Sequence, residues 1–196
     1  YFKGLKLLIM KKILGIIMIF CVVAVSSAQK KVGGVTLPAS ETFGEYTVKL
    51  NGAGVREKLW IDLYAGGLYL TTPSSDANQI MDADEAMAVK LHIVSKLISS
   101  DKMINAVEEG FENSTEGNIA PLESRIKKFI GFFKEEINKG DVFDITYQPG
   151  KGVVAYKNGK EKGTVEGMDF KKALFGIWLS NRPADDDLKE GMLGKD

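Results

Sequence analysis

Apolar and polar positions alternate with a period of two along several stretches of the chain. Tyr46, Val48 and Leu50 alternate with polar neighbours, and Met87 to Ile93 repeats the pattern around Ala88, Lys90 and His92. Such alternation is typical of strands with one buried face. Further strands are predicted around turns at Pro149-Gly150 and Asn158-Gly159, from the apolar residues Val142, Ile145, Tyr147, Val153, Val154 and Tyr156.

The stretch from Val55 to Leu70 has bulky residues on both parities. Bulky side chains on both faces of a strand predict that it lies in the centre of a sheet. The preceding Asn51-Gly52-Ala53-Gly54 predicts a turn. Ala65-Gly66-Gly67 interrupts the pattern. Glycines inside a strand indicate a bulge, or a place where another backbone or a ligand comes close.

Helical spacing replaces this alternation after Ser99. One helix is predicted through Met103, Val107 and Phe111, and a second from Pro121 to Gly140 with an apolar stripe for the core or for the wall of a ligand pocket. A third helix, 170–179, is predicted with Asp169 as its cap, and a fourth from Asp185 to Met192, whereas 71–83 is read as a polar loop. The expected fold class is α+β, a single domain over 29–196 with an antiparallel sheet and a layer of helices on one face.

Residues 1–28 differ in character from the rest of the chain. A basic start at Met10-Lys11-Lys12 precedes an apolar run, and Ser26-Ser27-Ala28 offers small residues for cleavage. These features predict an N-terminal extension and a secretory signal peptide. The competing interpretation is a membrane anchor, but the uncharged run is shorter than the roughly 20 residues that span a bilayer. We therefore expect a secreted, periplasmic protein with no membrane span after cleavage.

Composition excludes several classes of function. Beyond residue 28 there are 22 lysines and arginines against 26 aspartates and glutamates, so the net charge is −4, which argues against nucleic acid as a partner. The only cysteine is Cys21, so the mature chain has no thiol. Motifs for nucleotides or zinc are missing, and no cofactor is expected. His92 is the only imidazole and is expected to face solvent, and Asp185-Asp186-Asp187 is better explained as a helix cap than as a metal site.

The candidate chemistry lies at Arg56 and Tyr64. Arg56 is the only arginine before Arg125. A guanidinium fits a carboxylate with its planar fork of donors, and a tyrosine hydroxyl can add a further hydrogen bond. The alternative from the residues alone is a cross-strand pair of Arg56 with Glu57 or Asp62, beside an ordinary core tyrosine.

Two motifs carry a resemblance to a known family. Gly54-Val55-Arg56, with Lys58 and the run Tyr64-Ala65-Gly66-Gly67-Leu68-Tyr69-Leu70, resembles the chalcone isomerase family, in particular its secreted bacterial members. Phe175-Gly176-Ile177-Trp178-Leu179, followed by Leu188 to Gly194, is similar to the closing helices of that family. The resemblance extends from Gly33 to Gly194.

This resemblance implies a ligand cleft between the sheet and the helices. In the plant enzymes of the family, an arginine at the place of Arg56 supports ring closure of a chalcone, together with a threonine and a tyrosine. In the fatty-acid-binding branch, the matching arginine and a tyrosine hold a carboxylate. This chain has Tyr64 where the enzymes have threonine, and no tyrosine between Leu70 and Thr146, where Met103 stands near the place of the catalytic phenol.

The expected function is therefore non-enzymatic binding of a fatty acid or a similar apolar carboxylate by an exported monomer. Arg56 is the predicted anchor, Tyr64 its hydrogen-bonding neighbour, and Met103, Val107 and Phe111 the cleft lining. One alternative is an intramolecular lyase that acts on an unsaturated ketone. Another is a protein-interaction scaffold with a collapsed cleft, for which an exposed apolar patch and no pocket beside Arg56 would be the signs.

Overall fold

The structure is a computed structural model that describes residues 29–195. A short antiparallel pair, β1 (Lys30–Val32) and β2 (Val35–Leu37), precedes a seven-stranded antiparallel sheet whose strands follow chain order. These strands are β3 (Ser40–Phe43), β4 (Tyr46–Lys58), β5 (Ile61–Leu70), β6 (Met87–Ile93), β7 (Val142–Gln148), β8 (Gly152–Lys157) and β9 (Lys160–Val165). The sheet curls into a half-barrel, and the helices complete the α+β fold class that the sequence predicts.

The β4–β5 hairpin differs from the sequence prediction. Asn51-Gly52-Ala53-Gly54 lies inside β4, with a register shift between Leu50 and Gly52, so the predicted turn there is wrong. The chain reverses instead at Leu59 and Trp60, whose φ angles are +53° and +61°. Two of the bulky residues between Val55 and Leu70 thus form this turn. The central strand that the sequence predicts is confirmed for β5, which lies between β4 and β6 and is buried on both faces from Tyr64 to Leu70.

Five α-helices lie in the described part of the chain: α1 (Ala77–Asp82), α2 (Ser100–Ser114), α3 (Glu123–Ile130), α4 (Met168–Leu179) and α5 (Asp186–Met192). The polar loop predicted over 71–83 thus contains α1, which Asp76 caps by accepting from the Gln79 amide. The helix predicted up to Gly140 is wrong in its second half. After α3, Gly131–Phe133 forms a single 3₁₀ turn, and the chain beyond it is irregular up to β7.

The apolar stripe of that predicted helix is nevertheless buried. Phe129, Phe133 and Ile137 all belong to the main core, although Ile137 lies beyond the helical turns. A hydrophobic pattern therefore reports which residues face the core more reliably than where the helix ends. The predicted caps give a mixed result: Asp185 caps α5, but Gly167 precedes α4, and Asp169 pairs with Arg125 at 2.6 Å.

All five helices share one hydrophobic core with one face of the sheet. On β6, Met87, Val89, Leu91 and Ile93 point into that core, as the alternation predicts. The opposite face has a smaller cluster around Val48 and Tyr69, and Lys90 pairs there with Glu41 and Asp144. His92 lies on this side of β6 and is half-buried instead of fully solvated, and burial together with Lys90 lowers the pKa of its imidazole.

Lys171 of α4 lies inside the core with no exposed surface. Its Nζ donates to the carbonyl oxygens of Ile80, Met81 and Ala83, each at 2.8 Å. These carbonyls end α1 and lack partners within the helix, so the lysine acts as its C-terminal cap. Burial lowers the pKa of the Lys171 ammonium to about 8, even though Asp82, Asp84 and Glu85 nearby act in the opposite direction.

Candidate functional site

Three glycines of the β4–β5 hairpin form a flat patch on which α5 rests. Gly54 and Gly66 are direct cross-strand partners, and Gly52 faces Leu68 beside them. A Cβ atom on Gly66 would lie 2.7 Å from Met192 Cε, and one on Gly54 would lie 3.1 Å from Leu188 Cα. The sequence predicts that another backbone segment or a ligand lies close to Gly66. In the structure, the group that lies close to it is helix α5.

Arg56 and Tyr64 are also direct partners across β4 and β5, next to this patch. Arg56 Nη1 donates to Asp185 Oδ2 at 2.9 Å and to the Glu57 carbonyl oxygen at 3.3 Å. Side-chain exposure is 24% for Arg56 and 14% for Asp185, so the pair is partly shielded from water. The guanidinium therefore binds a carboxylate of its own chain, and that carboxylate belongs to neither Glu57 nor Asp62.

The two carboxylate oxygens of Asp185 accept hydrogen bonds from different partners. Oδ1 accepts from the Leu188 amide at 2.9 Å, which is the N-cap bond of α5, while Oδ2 accepts from Arg56. A negative charge at this helix end also complements the helix dipole. One side chain thus fixes the start of α5 and holds that start against the edge of β4.

Tyr64 is buried beneath this pair. Its hydroxyl oxygen accepts from Trp178 Nε1 of α4 at 3.1 Å. Burial raises the pKa of the Tyr64 phenol, which therefore keeps its proton at neutral pH. Because the hydroxyl accepts from Trp178, its own hydrogen remains available for donation to an acceptor such as a carboxylate.

The predicted lining residues lie on α2. Met103, Val107 and Phe111 are all buried in the main core. Phe111 packs against Phe129 and Phe170, with ring centroids 6.4 and 5.4 Å apart. Helix α2 in turn packs closely on α4, where a Cβ atom on Gly110 would lie 2.8 Å from Ile177. These residues therefore belong to the helical layer, while Arg56 and Tyr64 lie on β4 and β5 of the sheet, next to α5.

Two clefts stand out on the described surface, and neither is lined by Arg56 or Tyr64. The larger, of about 390 Å³, lies between α2 and α3 and includes Phe111 together with Ile119, Ile126 and Ile130. The smaller, of about 170 Å³, lies between the end of β5 and α1. Among the five predicted site residues, only Phe111 contributes to either cleft.

A sequence profile described as chalcone isomerase-like matches residues 29–194. The chain belongs to the chalcone isomerase-like family. Fatty-acid-binding protein 1 of Arabidopsis thaliana is 24% identical over 189 residues, which cover 82% of this chain and 67% of that relative. The crystal structure of an Arabidopsis thaliana fatty-acid-binding protein superimposes with a TM-score of 0.68 at 23% identity, over 82% of this chain and 92% of that one.

Sequence reasoning misses two contacts of the predicted site residues, that of Asp185 with Arg56 and that of Trp178 with Tyr64. Asp185 is correctly predicted as a cap, but its pairing with Arg56 spans 129 positions, and no local pattern reports such a contact. Trp178 lies in the closing-helix motif and is hidden there among other apolar residues. Only Trp178 lies in a family motif, whereas the sequence signal of Asp185 is its position as a helix cap.

Metal-binding clusters and bilayer-spanning helices are both absent from residues 29–195. Within this part of the chain, no three histidine, cysteine, aspartate or glutamate side chains are placed to hold a metal ion. None of its helices has the length and apolar character that crossing a bilayer requires.

Proposed function

We propose that this protein binds a fatty acid or a similar apolar carboxylate without transforming it, with Arg56 as the anchor. The observation that carries the proposal is the bond between Arg56 and the Asp185 carboxylate at 2.9 Å, beside the buried Tyr64 hydroxyl. This geometry already accommodates one carboxylate oxygen at the guanidinium. A ligand carboxylate would replace Asp185 there.

Tyr64 would provide the second hydrogen bond. Since its oxygen is occupied by the Trp178 N–H, its hydrogen is the group that can turn to the ligand. Charge-assisted hydrogen bonds of this kind contribute about 1.5–3 kcal/mol each. The raised pKa of Tyr64 supports a donor role, because a phenolate would repel a carboxylate.

The apolar tail needs space between the sheet and the helical layer. In the structure, Leu188 and Met192 of α5 lie on the glycine patch next to Arg56. We propose that the tail takes the place of these side chains when α5 moves away, since a methionine side chain adapts readily to different neighbours. Ten buried methylenes contribute roughly 8 kcal/mol, which exceeds the lower range of association costs of about 4–15 kcal/mol.

The relatives support this assignment at the level of the family. The Arabidopsis protein that matches over 82% of this chain is named for fatty-acid binding. Arg56 and Tyr64 meet across two neighbouring strands in this chain, as a shared carboxylate site requires. Both observations favour apolar-ligand binding, whereas the exposed apolar residues Leu59 to Ile61 and the position of both clefts away from Arg56 are the signs expected of the scaffold alternative.

We further propose that the domain works outside the cytoplasm, in the periplasm. The proposal rests on the basic and apolar pattern of residues 1–28, which lie outside the described residues. N-terminal sequencing of the protein recovered from its native compartment tests it. A mature chain that begins close to Gln29 is expected, whereas a retained leader would contradict export by signal cleavage.

Isothermal titration with hexadecanoic acid tests the binding proposal. We expect one ligand per chain for the unchanged protein and an affinity lower by roughly tenfold or more for Arg56→Gln, because one charge-assisted interaction is lost. Arg125→Gln is the matched control. Arg125 is another partly exposed arginine paired with an aspartate, but it lies on α3, away from the site.

Two outcomes would contradict the proposal. Equal affinity of the unchanged protein and Arg56→Gln would show that Arg56 is not the anchor. Conversion of a chalcone by the unchanged protein that Arg56→Gln abolishes would favour the intramolecular lyase instead.

A further inference from the structure

The tip of the β4–β5 hairpin is apolar and fully projected into solvent. Trp60 is 89% exposed, Leu59 76% and Ile61 42%. A tryptophan contributes roughly 200 Å² of surface when it is exposed to this degree. Isolated apolar residues at the surface are common, but three consecutive ones at a protruding turn are not.

A fourth exposed apolar residue lies at the same end of the sheet. Leu97, 50% exposed, follows β6 in a loop that the Leu63 carbonyl oxygen anchors by accepting from the Val94 and Ser95 amides at 3.0 and 3.2 Å. Lys102 Nζ donates to the Leu97 carbonyl oxygen at 3.0 Å and fixes the loop further. Across residues 29–195, these four are the large hydrophobic side chains that are exposed, and all of them lie at this end.

The backbone at the tip is also unfavourable for the residues that occupy it. Leu59 and Trp60 both have positive φ, as a two-residue turn of this handedness requires. Asparagine and glycine adopt that conformation easily, whereas bulky residues are strained in it. Strain of this kind is commonly retained where a side chain has a function, so the two apolar side chains have a role other than closing the hairpin.

We propose that this tip, formed by Leu59, Trp60, Ile61 and Leu97, inserts into the interfacial region of a lipid bilayer. An indole ring has an apolar body and one N–H donor, and it prefers the boundary between headgroups and acyl chains. Basic and acidic residues are mixed around these side chains and do not segregate into a basic patch. They are Arg56, Lys58, Lys96 and Lys102 on one side, and Glu57, Asp62 and Asp101 on the other. A zwitterionic lipid surface is therefore the expected partner.

A protein partner fits the tip less well. Stable interfaces bury roughly 800 Å² on each partner, and the four exposed side chains offer considerably less. The apolar surface is also a projecting point, which enters a fluid lipid layer without needing a complementary cavity. Size and shape thus favour lipid over a second copy of the chain.

The position of the tip relates it to the proposed ligand site without depending on it. Arg56 precedes the turn by only three positions on β4. Docking through the tip would hold the edge of the sheet that carries Arg56 and Tyr64 at the membrane surface. Docking requires only the exposed apolar residues, so a protein that failed to bind hexadecanoic acid could still dock.

Vesicle flotation and tryptophan emission test the docking together. The chain has two tryptophans, and Trp178 is buried with its N–H bonded, so a change in emission on adding phosphatidylcholine vesicles reports Trp60. We expect a blue shift and co-flotation with neutral vesicles that persists at high salt, since the apolar residues provide the attraction.

The matched variant replaces both turn residues, Leu59→Asn with Trp60→Gly. This pair suits the positive φ angles, so the hairpin should fold at least as well as before. We expect its partition onto vesicles to fall by roughly tenfold or more, because two apolar side chains are removed, while its affinity for hexadecanoic acid stays unchanged. Unchanged partition of the variant would overturn the proposal. So would dimerisation of the unchanged protein in solution that the variant abolishes, since the tip would then be a protein contact.

Discussion

Arg56 and Asp185 lie 129 positions apart in the chain, yet Arg56 Nη1 donates to Asp185 Oδ2 at 2.9 Å. The contact joins the edge of β4 to the first turn of α5. Because a carboxylate of the protein occupies the group that we propose as the ligand anchor, Asp185 and a ligand would compete for the same guanidinium. Because of this competition, substitutions at Asp185 test the site as well as substitutions at Arg56.

Asp185→Asn should increase the affinity for hexadecanoic acid. Asparagine is as good an N-cap as aspartate, so α5 keeps its cap while the competing charge disappears. A partly exposed ion pair contributes about 1 kcal/mol or less, so the gain should reach at most about fivefold in isothermal titration. Asp186→Asn, at an exposed neighbour outside the pair, is the control. A weaker affinity of Asp185→Asn would show that Asp185 supports binding instead of opposing it.

Gly52→Ala should disturb the packing of α5 against β4. A Cβ atom at this position would overlap the Gly191 carbonyl oxygen and lie 2.7 Å from that of Met192, so the helix has to shift. Overpacking of this kind typically lowers the free energy of unfolding by about 1–3 kcal/mol, which urea denaturation measures.

Gly131→Ala is the matched control for that change. Gly131 has a helical conformation and no atom within 4 Å of its added Cβ. Alanine there should leave the stability unchanged or raise it by up to about 1 kcal/mol. Equal behaviour of the two variants would mean that α5 does not press on the glycine patch in solution.

Tyr64→Phe should destabilise the protein. The change leaves the buried Trp178 N–H without its acceptor, which costs about 1–3 kcal/mol, whereas Tyr46→Phe removes only a 3.4 Å contact near the surface. Urea denaturation compares the two, and the emission of Trp178 should change only in Tyr64→Phe. If Tyr64→Phe were as stable as the unchanged protein and bound hexadecanoic acid equally well, the hydroxyl would have neither role.

The buried Lys171 should make stability depend on pH in the alkaline range. Its folded-state pKa is lowered to about 8, whereas in the unfolded chain lysine has a pKa of about 10.4. Between these values the unfolded chain binds more protons, so the free energy of unfolding should rise with pH, by on the order of 3 kcal/mol in total. Urea denaturation at several pH values from neutral to alkaline measures this rise.

Lys171→Met should lack the alkaline rise, and Lys172→Met should retain it. Lys172 is the neighbouring lysine, half exposed and paired with Asp82 at the surface. The comparison isolates the buried group, because both variants lose one lysine from α4. A rise of equal size in Lys171→Met would assign the pH dependence to other residues.

The sequence predicts the sheet, the single layer of helices and the family because these depend on periodicity and on two local motifs. It predicts the close approach at Gly66 for the same reason: a glycine in a strand is informative by itself. The predicted turns at Pro149-Gly150 and Asn158-Gly159 are confirmed, since they join β7 to β8 and β8 to β9, but the turns around β4 are not. Asn51-Gly52-Ala53-Gly54 has the composition of a turn, but its glycines make room for α5, whereas Leu59 and Trp60 form a turn with residues that disfavour it.

The site was only partly predictable for a related reason. Arg56 and Tyr64 stand out because an arginine and a family motif mark them, and the structure places them opposite each other. The partner of Arg56 comes from a distant helix, and its identity depends on how α5 packs against the sheet. Tertiary packing of this kind leaves no periodic signal in the chain.

The position of α5 also has a consequence for the order in which the protein folds. Asn51 Nδ2 donates to the Met192 carbonyl oxygen, 141 positions later, so nearly the whole described chain must be synthesised before this contact can form. Until then, α5 does not cover the glycine patch of β4 and β5. Contacts between distant parts of a chain form late in folding, and a short helix held by such contacts is among the first parts to open again. Entry of the proposed ligand would then reverse the last step of folding.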